Sequence, residues 1–203
     1  MPRAPKGWEV VKFAGGLENP RQLLELPNGD VLVAESNAPA KPDDDGGVKA
    51  WLTKKAMSKA GATTPSADRI SLLRDSNNDG VVDQRTVFIA GLHSPFGMAL
   101  IGNDLYVANT DGVLRFPYRA DQTQITAPGE PVASLPAGAL NHHWTKNLIA
   151  SPDGSKLYAA VGSNSNVAEN GLEQEQGRAA IWEIDPADGS KRQAVVQLLP
   201  AEL

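Results

Sequence analysis

Residues 144–166 read WTKNLIASPDGSKLYAAVGSNSN. A short apolar run leads into the turn PDGS at 152–155, and a second apolar run, SKLYAAV, leaves it. Asp-Gly and Asn-Gly pairs between apolar runs signal a hairpin, because the turn needs a positive φ that glycine adopts without a steric penalty. The same pattern occurs twice upstream. NPRQLLELPNGDVLVAE at 19–35 turns on PNGD, and SPFGMALIGNDLYVANTDGVLRF at 94–116 turns on GND. DVLVAE and SKLYAAV are mostly apolar and only partly alternating, which suits strands covered on both faces. Further strand-like runs follow at RISLLRD (69–75), RTVFIAG (85–91), GVLRFPY (112–118) and RAAIWEID (178–185).

The three repeats start at residues 19, 94 and 144, and the first interval is lengthened by an insertion, residues 36–68. The underlying period is therefore roughly 45 to 50 residues, which describes four short antiparallel strands per unit. This predicts an all-β chain of about three four-stranded propeller blades. A β-sandwich is the competing all-β architecture, but it does not call for one signature three times. Three blades do not close a ring, so residues 1–203 are expected to form part of a larger propeller. Within the insertion, APAKPDDDGG reads as a loop, and VKAWLTKKAMSKAGA at 48–62 predicts a short exposed helix outside the blades.

Composition narrows the function. The chain has 203 residues, 19 Lys+Arg against 24 Asp+Glu, a formal net charge of −5, 41% hydrophobic residues and no cysteine. A pI near 5.2 without a basic cluster argues against nucleic acid or an anionic membrane as partner. The absence of cysteine removes disulfides, thiolate metal sites, iron–sulfur clusters and thiol nucleophiles. Neither an apolar run of membrane-spanning length nor a signal peptide is visible. With 19 Gly and 15 Pro, turns must be frequent.

The three histidines, His93, His142 and His143, all fall just before a repeat strand. In a propeller such loops gather at one end of the central channel. Adjacent residues of an extended segment point to opposite sides, so only one of His142 and His143 should face that channel. Adjacent histidines chelate zinc poorly, and no GxSxG nucleophile elbow is present. GSNSN at 162–166 could bind a polar ligand through its backbone and amides. Asp75, Asn77, Asp79, Val81 (through its carbonyl) and Asp83, with Gly80 at position six, follow a calcium-loop spacing. Position twelve is Thr86 where an EF-hand places a bidentate Glu, and the loop joins two strands. A hairpin tip is the economical reading, with any calcium there weak and structural.

GLENPRQLLELPNGDVLVAES, GLHSPFGMAL, and His143 followed by Pro152-Asp153-Gly154, Leu157-Tyr158 and Gly162 resemble the glucose/sorbosone dehydrogenase family over residues 8 to 190. RISLLRDSNNDGVVDQRTVF places the resemblance nearer the L-sorbosone dehydrogenase branch. That resemblance implies a six-bladed quinoprotein propeller using pyrroloquinoline quinone (PQQ) and calcium to oxidise a sugar or aldose, with an external electron acceptor and a periplasmic or secreted location. It implies His143 as the general base, His93, Ser163 and Asn164 as cofactor-binding residues, and His142 on the substrate side. Ser163 departs from the glucose-oxidising relatives, which carry a carboxylate there. A calcium-dependent propeller lactonase and a non-catalytic binding propeller are the alternative readings.

Overall fold

The computed structural model of the chain describes residues 2–39, 65–138 and 141–195. Three four-stranded antiparallel sheets follow one another along the chain. The first holds β1 (Pro20–Glu25), β2 (Val31–Glu35), β3 (Arg69–Arg74) and β4 (Gln84–Ile89). The second holds β5 (Met98–Ile101), β6 (Asp104–Ala108), β7 (Gly112–Pro117) and β8 (Glu130–Ser134). The third holds β9 (Lys146–Ala150), β10 (Leu157–Val161), β11 (Ala180–Ile184) and β12 (Lys191–Val195). Strand order in each sheet is sequence order, and the sheets meet along their first strands β1, β5 and β9. This is the expected blade architecture. The one helical element among the described residues is a 3-10 turn at Leu172–Glu175. The helix expected at 48–62 lies outside the described residues.

Two apolar seams hold the blades together. Leu32, Ile70, Leu72 and Phe88 of the first blade pack with Met98, Leu105, Val107 and Phe116 of the second. Ala99, Tyr106, Ala108 and Val113 of the second pack with Leu148, Leu157, Ala159, Val161 and Ile184 of the third. Side chains alternate across a strand, so β6 sends Leu105 and Val107 into one seam and Tyr106 and Ala108 into the other. That division explains why LYVA is a continuous apolar run. Each fully buried large apolar side chain contributes about 1.5–3 kcal/mol of transfer free energy. The outermost strands are more exposed, and Pro131 sits on β8, an edge where its missing N–H costs little.

At the second seam the first strands approach backbone to backbone. The Gly97 N–H donates to the Lys146 carbonyl at 3.0 Å. A Cβ on Gly97 would lie 2.3 Å from the Leu148 nitrogen, so the approach needs glycine. At the far side of the first blade, Arg74 donates through Nε (2.7 Å) and Nη2 (2.6 Å) to Asp30, which is buried. The Arg74 hydrogen bonds hold the Asp30 carboxyl below its ordinary value against the opposing effect of burial.

Candidate functional site

Antiparallel order sorts the loops into two groups. The loops before β5 and β9 and those after β6 and β10 lie at one end of the blades. The β1–β2, β3–β4, β5–β6 and β9–β10 turns lie at the other. His93, His142, His143, Asp111, Ser163 and Asn164 therefore share one end. The Asp75–Asp83 loop joins β3 to β4 at the opposite end.

His143 is exposed, and its ring is oriented by Ser163. Nδ1 lies 3.0 Å from the Ser163 carbonyl oxygen and 3.0 Å from Ser163 Oγ. The hydroxyl spends its hydrogen on the Ser165 carbonyl at 2.7 Å. Both Ser163 atoms can therefore only accept from the ring, so Nδ1 carries a hydrogen, and in the neutral ring Nε2 carries the lone pair. Gly162 makes room for this arrangement, since a Cβ there would come 2.4 Å from His143 Cβ. The loop beneath is braced by Glu175, which accepts from the Asn164 N–H (2.6 Å), the Ser165 N–H (3.0 Å) and Ser165 Oγ (2.7 Å).

One blade over, His93 Nδ1 lies 2.9 Å from Asp111 Oδ2, and both side chains are about half exposed. Thr110 joins the two histidine loops. Its N–H donates to the His93 carbonyl at 3.1 Å, and its Oγ1 donates to the Trp144 carbonyl at 3.1 Å. Asn141 Nδ2 donates to Thr110 Oγ1 (3.0 Å), and Arg178 Nη1 donates to Asn141 Oδ1 (2.8 Å). Burial lowers the Arg178 pKa, with Glu175 opposing.

Beneath Trp144 lies Lys146, fully buried, with Nζ donating to the Trp144 carbonyl at 3.2 Å. Burial first, and then the Arg178 charge, push its pKa down to about 8, with Asp111 opposing. Arg21 lies over the Trp144 ring at 5.4 Å and donates to the Ser36 carbonyl (2.9 Å) and Asn37 Oδ1 (3.2 Å). Phe96 meets Trp144 edge-on, with ring centroids 6.4 Å apart. Sequence reasoning missed Arg21, Asp111, Arg178 and the interior position of Lys146. Strand alternation could have found the last, because Lys146 shares its face with Leu148.

The remaining expected site residues are placed differently. Asn164 is only 2% exposed, and its Oδ1 accepts from Asn170 Nδ2 at 2.8 Å. His142 is exposed, and its N–H donates to the Asn164 carbonyl at 3.3 Å. In the Asp75–Asp83 loop the side chains bond their own turn. Asp75 accepts from the Asp79 (3.2 Å) and Gly80 (2.7 Å) N–H groups, Asp79 from Val81 (2.8 Å), and Asp83 from Ser76 (3.0 Å). Among the described residues no group of three or more His, Asp or Glu is arranged to hold a metal. These donors close a hairpin tip and do not converge on a cation.

Among the described residues no helix is long and apolar enough to cross a membrane. Solved structures share the fold. The holo PQQ domain of pyranose dehydrogenase from Coprinopsis cinerea superposes with a TM-score of 0.64 at 19% identity, over 91% of this chain and 38% of that one. The calcium structure of a Trichoderma reesei carbohydrate-active enzyme of family AA12 gives 0.65 at 20% identity, over 92% and 40%. The PQQ-bound aldose sugar dehydrogenase of Streptomyces coelicolor gives 0.54 at 18% identity, over 89% and 48%. The chain thus spans about two fifths of the first two. No curated protein matches the sequence. A family model described as a domain of unknown function (DUF7133) matches residues 28–197, and the chain belongs to that family.

Proposed function

We propose that this chain is part of a six-bladed quinoprotein propeller that oxidises a sugar or aldose, with His143 as general base. The observation that carries the reading is the bonding of His143 Nδ1 to Ser163, which in the neutral ring leaves Nε2 to accept a proton. The similarity to PQQ-binding sugar dehydrogenases supports the choice of cofactor and substrate class. Residues 1–203 would supply three blades, with residues 36–68 inserted after β2. An external electron acceptor and a periplasmic or secreted location go with this reading.

The residues at the His143 end fit a planar quinone carrying carboxylates. Arg21 is exposed and held in place by Ser36, Asn37 and the Trp144 face, so its guanidinium can meet a carboxylate without first being ordered. His93 and Ser163 would flank the cofactor, and His142 would lie on the substrate side. Asn164 would act from below, by bracing the loop that carries Ser163. Bound PQQ would supply an electrophilic carbon that accepts hydride. His143 Nε2 takes the hydroxyl proton as the carbon-bound hydrogen departs with its electron pair. Ser163 keeps the ring in register but brings no charge, so the positive charge formed on the imidazole is met by dipoles alone. No step is routed through calcium. The Asp75–Asp83 loop, whose carboxylates bond their own turn, has no part in this reading.

The test uses the full-length protein loaded with PQQ and assayed by dye-linked aldose oxidation. His143→Ala should lower kcat by about a hundredfold or more, the usual scale for loss of a general base, with PQQ binding retained. His142→Ala should do much less. Unchanged kcat in His143→Ala, or larger damage from His142→Ala, would reject the assignment.

A further inference from the structure

The blades repeat in register, and that register pairs two histidines. Met98 of β5 pairs with Val107, and Leu148 of β9 pairs with Ala159. His93 stands five residues before Met98, and His143 stands five before Leu148. Asp111 stands four residues after Val107, and Ser163 stands four after Ala159. His93–Asp111 and His143–Ser163 are thus the same constellation on neighbouring blades, differing in what holds Nδ1. Thr110 bonds the backbone on both sides, at His93 and at Trp144, so the two loops are fixed to one residue.

We propose that His93 and Asp111 form a second proton-transfer couple at this mouth, with His93 as the acid that complements the His143 base. The proposal rests on the reading above. In alcohol oxidation by a quinone, the substrate loses a hydride and a proton, and the quinone gains a hydride and a proton. His143 accepts the proton from the substrate hydroxyl. His93 gives one from Nε2 to the oxygen of the acceptor as its electron pair arrives. His143 ends protonated and His93 neutral, and solvent restores both.

The difference in Nδ1 partner assigns the roles. A protonated His93 ring is one half of an ion pair with Asp111 at 2.9 Å, a charge-assisted hydrogen bond. At His143 the same position offers only a hydroxyl and a carbonyl. Carboxylate against hydroxyl at equivalent sites is how one fold separates an acid from a base. The other charged groups around this end include Asp68, which accepts from the Ser94 N–H at 2.8 Å, Glu175 beneath the Asn164–Ser165 backbone, and the cations Arg21, Lys146 and Arg178. The carboxylate bonded to the His93 ring is that of Asp111. Half exposure of His93 leaves the ring within reach of a ligand.

The experiment compares Asp111→Asn, His93→Gln and His143→Ala in the full-length protein. Asp111→Asn keeps a hydrogen-bond acceptor for the ring and removes the charge, so PQQ affinity by equilibrium dialysis should stay within about threefold. Its kcat should fall by about tenfold to a hundredfold, and the alkaline limb of the kcat–pH profile should change, because the ring that acts as acid loses the carboxylate bonded to it. His93→Gln should lower kcat at least as far and abolish that limb. In 15N-histidine spectra of the cofactor-free protein, Asp111→Asn should change the His93 Nδ1 signal, whose partner is replaced, and leave the His143 signals unchanged. Wild-type kcat and an unmoved profile in both variants, with His143→Ala still inactive, would overturn the acid role and spare the base. Full activity in His143→Ala would instead remove the parent reading.

Discussion

Lys146→Met should stabilise the protein at neutral pH. The lysine is fully buried, and its pKa falls from the ordinary 10.5 to about 8. At 1.36 kcal/mol per unit, keeping the ammonium inside costs about 3 kcal/mol at pH 7. Removing it forfeits one hydrogen bond, about 1 kcal/mol. The Trp144 carbonyl keeps a donor, because Thr110 Oγ1 also reaches it at 3.1 Å. The net expectation is a gain of about 2 kcal/mol by urea unfolding at pH 7. The sign of the pH dependence follows from proton counts. Between pH 8 and 10.5 the unfolded chain holds the proton that the folded chain has released, so wild-type stability rises across that window. Methionine has no proton to exchange, so the variant should lack this rise; its advantage should vanish within that window, and above pH 10.5 it should be the less stable by about 1 kcal/mol, the lost hydrogen bond. Destabilisation at pH 7, or a gain independent of pH, would refute the claim that the buried charge is costly.

Gly162→Ala should leave the circular dichroism spectrum intact and, on the proposed base role, lower kcat by roughly tenfold or more, since the new Cβ displaces the His143 ring. Ser163→Ala should lose less, because the main-chain oxygen still holds Nδ1; inactivity would mean that the hydroxyl acts on substrate or cofactor directly. Asp79→Ala should lower the unfolding free energy by about 1 kcal/mol through its lost turn bond to Val81 and leave turnover unchanged in assays with and without a chelator. Asp30→Asn should destabilise most at neutral pH and least in acid, because the Arg74 pair lowers the folded pKa and its contribution is lost as pH falls; acid and neutral urea titrations give the comparison.

The blades were legible because β2, β3 and β6 are buried on both faces and the hairpin turns need Asn, Asp or Gly. LYVA and LYAAV announced themselves as apolar runs. The outer strands did not. β8 is EPVAS and β12 is KRQAV, and an edge strand facing solvent carries little hydrophobic pattern. At the candidate site, His143 and Ser163 were singled out by a spacing along the chain, and the fold sets them in contact. Asp111 and Arg178 were not, because each belongs to a different loop, and only blade packing brings those loops together. Asn164 was read as a ligand contact from its amide, whereas the fold turns that amide into the loop.

The bond from Gly97 to Lys146 belongs wholly to the main chain, so side-chain replacement cannot delete it, and a Cβ at Gly97 can only wedge it open. Sequence drift can therefore reshape both seams while this joint keeps its geometry, provided one position stays glycine. The joint lies just inside the mouth, two residues after Pro95 and three after Ser94, on the loop that carries His93. It works as a mechanical datum. Loops above it can lengthen or change composition to admit new ligands, while the distance between the two strands that follow the histidine loops is set by peptide groups below them.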